Sequence, residues 1–106
     1  MALVQREESE MKFVLTVYGE DDDNVIIQRP FYDALAAAMF LLFSVNYDGA
    51  TWSQIGEITA DGYKPIANIS RDDEEETYIS VFETGYMNAI QRANVMANFR
   101  IEEVSE

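Results

Sequence analysis

The chain contains neither cysteine nor histidine in its 106 residues. Without cysteine there is no disulfide and no thiolate metal ligand, so a reducing compartment is tolerated and the fold depends on its packed core. Without histidine, Ser-His-Asp and Cys-His catalysis and imidazole-bound zinc are excluded, together with the side chain that ordinarily titrates near neutral pH. Positive charge is also scarce, seven lysines and arginines standing against twenty aspartates and glutamates for a net charge of -13. Arg6, Lys12, Arg29, Lys64, Arg71, Arg92 and Arg100 are dispersed along the chain. They form no local phosphate-binding stripe, so direct binding to nucleic acid or to an anionic membrane is not expected.

The apolar share of 48% sets the chain apart from disordered acidic tracts, and its length suits one domain. Residues 1–10, MALVQREESE, lack the basic flank and long apolar stretch of a signal peptide. They read as a flexible extension before a single domain over 11–106, with the cytoplasm as the expected location.

In residues 12–18, KFVLTVY, Phe13, Leu15 and Val17 share one face at a period of two, the pattern of a half-buried strand. The polar GEDDDN follows, and NVIIQ over 24–28 resumes a β-branched run that can pair back as a hairpin. Pro30 suits a first helical position, and FYDALAAAMFLLFSV after it is rich in helix formers. The spacing predicts an apolar helix over about 30–45, with Asp33 in its first turn. Its span of about 22 Å is too short for a bilayer. On a helical wheel Phe31, Leu35, Ala38, Leu42 and Val45 form the buried stripe, flanked by Met39 and Leu41, while Phe40 points away beside Asp33 and Ser44. Either a loop of the same chain or a second copy covers Phe40.

WSQIGEIT (52–59) and YKPIANIS (63–70) flank Asp61-Gly62, a dipeptide favoured in two-residue type I′ hairpins. That loop would pair Pro65 with Ile58 where a donor is needed, a conflict that a bulge near Gly56 or an edge location resolves. YISVFE (78–83) supplies a further strand, and a second helix is expected over about 85–97 with Thr84 as its cap. The tail FRIEEVSE extends that helix or forms a short strand. The expected fold is α+β: a mostly antiparallel sheet of about four to five strands, the apolar helix on one face and a helix near the C-terminus.

The acidic residues are clustered. Glu20, Asp21, Asp22 and Asp23 lie between the first two strands, and Asp72, Asp73, Glu74, Glu75 and Glu76 between the last two. Such runs often act only as solvated turns that keep the chain soluble and block edge-to-edge pairing. Their cost argues for more, because closely packed carboxylates repel and no lysines are interspersed. Carboxylates two apart on an extended segment are separated by about 6.6 Å, the scale of successive phosphates along a strand. A rigid surface of this kind fits the basic groove of a nucleic-acid-binding protein.

Other chemistries are weaker. Asp21, Asp22, Asp23 and Asn24 are hard oxygen ligands, but their spacing departs from the EF-hand pattern, and no specific metal or cofactor is expected. Glu57 and Glu83 are the better candidates for a carboxylate pair, although both read more simply as strand-face charges. The six tyrosines and Trp52 can serve as interface anchors or as core-rim residues. In composition the chain is similar to phage-encoded inhibitors that occupy the DNA- or RNA-binding surfaces of host defence proteins. Together these readings favour a non-enzymatic acidic protein, viral in type, that inhibits its target through Glu20–Asp23 and the 72–76 run. The alternative is an assembly subunit that forms a homodimer through Phe40 and Phe43, its charge giving only solubility.

Overall fold

Alternation settles the first strand. Phe13, Leu15 and Val17 are buried on one face of β1 (Phe13–Tyr18), while Val14 and Tyr18 are half-buried on the other. In a computed structural model describing residues 12–20, 24–71 and 76–104, β1 is joined by β2 (Val25–Phe31), β3 (Trp52–Thr59), β4 (Gly62–Arg71), β5 (Thr77–Val81) and β6 (Arg100–Glu103). The six strands make one sheet in the order β2-β1-β3-β4-β5-β6. Neighbours are antiparallel except β5 and β6, which run parallel. The sheet is thus mixed and longer than expected, because the C-terminal tail closes it as a sixth strand. Residues 1–11, which include the expected extension over 1–10, lie outside the described residues.

The main helix, α1 (Ala34–Phe43), begins four residues later than expected. Pro30 continues β2 instead. Ile58 N–H donates to Lys12 O (2.7 Å), and by the alternation of an antiparallel ladder Gly56 and its partner Val14 bond each other. Pro30, opposite Val14 on the outer strand, then turns its missing N–H to solvent, where an edge strand tolerates it. Asp33 is the helix N-cap rather than a first-turn acid, its Oδ2 accepting from Ala36 N–H (3.0 Å).

Ala37, Ala38, Leu41 and Leu42 form the buried side of α1. The stripe is rotated from the expected one: Met39 is exposed and Ser44 is fully buried, its hydroxyl donating to Leu41 O (2.5 Å) in the 3₁₀ turn that ends the helix. With these residues pack Phe13, Leu15, Val17, Ile55, Ile66, Ala67, Ile69, Ile79, Val81 and Ile90. All the helical cover lies on this face.

The β3–β4 turn is centred on Ala60-Asp61, one residue earlier than expected, with Gly62 following at φ 124°. Ile58 therefore faces Tyr63, and a bulge at Ile66 brings Pro65 opposite Gly56. Since Gly56 bonds toward β1, Pro65 is asked for no donor, and Ile66 and Ala67 both enter the core.

The second helix, α2 (Met87–Ala93), is shorter than expected and follows a 3₁₀ turn at Thr84–Tyr86 that has no side-chain cap from Thr84. Beyond α2 the chain is held by Asn94. Its Nδ2 donates to Phe99 O (2.8 Å), its Oδ1 accepts from Phe99 N–H (3.0 Å), and its carbonyl accepts from Asn98 N–H (2.7 Å). Asn98 takes a left-handed φ of 55°, a conformation asparagine tolerates, and β6 starts two residues later. The result is a single α+β domain with both helices on one side of a mixed sheet. Among the described residues no helix is long and apolar enough to cross a membrane.

Candidate partner-binding surface

One cross-strand row organises an end of the sheet. Val25, Tyr18, Trp52, Ser70 and Tyr78 are successive register partners on β2, β1, β3, β4 and β5, and Arg100 of β6 continues the row. Tyr18 and Trp52 stack with ring centroids 4.1 Å apart and planes within 10°. At the far end the Arg100 guanidinium lies 5.3 Å from the Tyr78 ring centroid.

The strand ends that bracket both acidic runs belong to this end of the sheet, since Tyr18 and Val25 flank one run and Arg71 and Thr77 the other. Glu20 and Glu76 are described and exposed. Asp21, Asp22, Asp23, Asp72, Asp73, Glu74 and Glu75, and with them most of the considered calcium ligands, lie outside the described residues. β1 and β5 are three strand spacings apart, about 14 Å. That exceeds the screening length of about 8 Å at physiological salt, so fields from the two strand ends add fully only at low salt.

Cations at this end are already engaged. Arg100 bridges Glu76 (3.4 Å) and Glu102 (3.6 Å), both half-exposed pairs of small energetic weight. Arg71 donates to Val45 O (3.3 Å). Asp48 adds an exposed carboxylate in the loop before β3, and Thr51 ties that loop to the end of β1 through its N–H to Tyr18 O (2.8 Å) and its hydroxyl to Gly19 O (2.6 Å).

The sheet face opposite the helices is covered by no described element. Its second row is polar: Gln28 Nε2 donates to Thr16 Oγ1 (3.2 Å) and Gln54 Nε2 to Asn68 Oδ1 (2.8 Å). Tyr63 lies over Gly56, where an added Cβ would overlap its Cζ, Cε1 and Oη. Its hydroxyl donates to Gln54 Oε1 (2.6 Å). Seating that end of the ring pushes the phenol up to about 12, and nearby Tyr18 adds to the shift. The side chain is nonetheless 49% exposed, because the opposite ring face looks to solvent.

The tyrosines divide accordingly. Tyr18, Tyr63 and Tyr78 share the uncovered face with Trp52, and Tyr32 and Tyr47 are exposed in connections. Tyr86 is on the helix side, edge-on to Phe13 at 5.7 Å. Desolvation raises its pKa, as does the hydrogen bond that its hydroxyl donates to Glu57, with the charges of Glu57 and Glu83 contributing. Glu83 is paired with Lys64 at 3.1 Å. Glu57 and Glu83 thus meet around Tyr86 at the end of the sheet away from the acidic runs, with Lys64 offsetting the charge of Glu83.

Phe40 is 39% exposed, tilted onto Phe31 at 5.0 Å and lying beneath the Arg29 guanidinium at 5.1 Å. Phe43, 59% exposed, helps line an apolar groove of about 360 Å³ with Met39, Leu42, Met96 and Phe99. Among the described residues no group of three or more carboxylates is arranged to hold a metal ion.

The chain matches no protein-family model, no curated protein and no solved structure at a significant level. Sequence reasoning found the acidic residues and named Tyr18 and Trp52 as aromatic, but it missed their pairing. That contact depends on β3 lying beside β1, which no local pattern encodes.

Proposed function

We propose that this protein is a non-enzymatic inhibitor that binds a basic protein surface and blocks access of nucleic acid to it. Glu20, Asp21, Asp22, Asp23, Asp72, Asp73, Glu74, Glu75 and Glu76 are the contacting residues in this reading. The observation that carries it is the strand register: the strand ends flanking both acidic runs lie at one end of the sheet, the end that holds the Tyr18–Trp52 stack. Tryptophan and tyrosine are among the residues that most often dominate binding energy at an interface, and the rim around such anchors is polar. The phage anti-defence type of inhibitor and a cytoplasmic site of action belong to the same proposal. Replacing Asp72, Asp73, Glu74, Glu75 and Glu76 together by Ser is expected to weaken partner binding at least about tenfold at low salt while the fold is kept. Undiminished binding by that variant would remove the proposal.

A second reading rests on the exposed Phe43 and the apolar groove that it lines. In it the chain is an assembly subunit and Phe40 and Phe43 meet a second copy. Sedimentation separates the two: a dimer that Phe40→Glu converts to monomer supports assembly, whereas a monomer at both low and high salt leaves the inhibitor reading alone.

A further inference from the structure

The uncovered sheet face presents its largest aromatic pair next to the end of the sheet where the acidic runs begin and end. Tyr18 and Trp52 are each half-buried, so part of both rings meets solvent. Exposed carboxylates stand close in the chain on either side: Glu20 two residues beyond Tyr18, and Asp48 in the loop that Thr51 fastens to Tyr18 and Gly19. A stacked aromatic pair offers a negative π face, and carboxylates beside it strengthen the attraction for a cation.

The chain itself shows which cation suits these rings. Its cation–ring contacts among the described residues are all guanidinium contacts, Arg29 over Phe31 and Phe40 and Arg100 over Tyr78. Arg100 and Tyr78 occupy the same row as the Tyr18–Trp52 pair, which carries no such cation among the described residues. A guanidinium is planar and weakly hydrated, so it stacks on a ring where the compact, strongly hydrated ammonium of lysine does so less well.

We infer that the Tyr18–Trp52 stack is the anchor point of the interaction surface and that it receives an arginine guanidinium from a flexible basic segment of the partner. This rests on the acidic-surface reading and adds to it a preference for arginine over lysine that charge alone does not supply. The occupant is a basic polypeptide, because the overall charge of -13 repels both nucleic acid and a second copy of the chain.

Trp52 is the single tryptophan, so the intrinsic emission of the full chain reports on this site. Oligoarginine and oligolysine peptides of equal length are titrated into the protein at low salt. Oligoarginine is expected to bind about threefold or more tightly than oligolysine and to change the Trp52 emission, and Trp52→Leu to abolish the difference in affinity while both peptides still bind. The emission change in the unaltered protein stands even if the variant does not fold. Equal affinities with unchanged emission overturn the inference and leave the acidic-surface reading intact. Failure of both peptides to bind at low salt overturns this inference and the acidic-surface reading together. An oligothymidylate that binds and quenches Trp52 where oligoarginine does not overturns the inference by assigning the face to nucleic-acid bases.

Discussion

Gly56 shows what one missing side chain does here. The ring of Tyr63 occupies the space of the absent Cβ, and its hydroxyl begins a chain of hydrogen bonds through Gln54 to Asn68. Gly56→Ala is expected to displace the ring at a cost of about 1–3 kcal/mol. The phenol offers a second test. Its pKa rises from an ordinary value of 10.0 to about 12 in the fold, so the neutral form is favoured by folding. The resulting stabilisation is fully present below pH 10 and is lost as the pH climbs through 12. Phenolate absorbance should show a late-titrating tyrosine that Tyr63→Phe removes, and the same substitution should flatten the decline of urea midpoints across that window. Loss of a normally titrating phenol in Tyr63→Phe, with the late one retained, would mean that the ring is not seated on Gly56. The sequence pointed to a bulge near Gly56 because Pro65 demanded one, but the overlying ring was hidden, since the turn lies one residue earlier than the Asp61-Gly62 pair suggested.

Among the elements, those defined by alternation or composition were legible and those defined by a single hydrogen-bonding side chain were not. Phe13, Leu15 and Val17 announced β1, and the alanines and leucines announced α1. The start of α1 was misjudged because Pro30 is equally at home on an edge strand, where its missing N–H faces solvent. The end of α2 was hidden because Asn94, which reads as an ordinary polar residue at helical spacing, turns its amide onto both backbone groups of Phe99. That bidentate clamp releases the chain from the helix and lays Arg100–Glu103 beside β5. Asn94 is only 7% exposed, so Asn94→Ala leaves Phe99 N–H and C=O without these partners and should cost about 1–3 kcal/mol. Hydrogen exchange should then show lost protection in β6 and in its β5 partners before the β1–β3 centre is affected. Uniform loss across the sheet, or none, would contradict the role given to Asn94.

At the scale of the molecule, strand order converts a dispersed sequence feature into a surface. Residues 20 and 76 are far apart in the chain, yet the strands next to them, β1 and β5, meet the same end of the sheet, where Tyr18 and Trp52 stack, and the helices are confined to the other face. The charge was evident from composition. Its position relative to the aromatic pair required β3 to be inserted beside β1, a long-range pairing without a local signal. The account stands or falls on affinity-capture of partners from the native host with the full chain, read by mass spectrometry at low and high salt, with and without competing DNA and RNA, beside the variant in which Asp72, Asp73, Glu74, Glu75 and Glu76 are Ser. It predicts nucleic-acid-binding proteins that are retained at low salt, displaced by salt or by nucleic acid, and missing from the variant. Partners held equally by the variant, or untouched by competing nucleic acid, would contradict it.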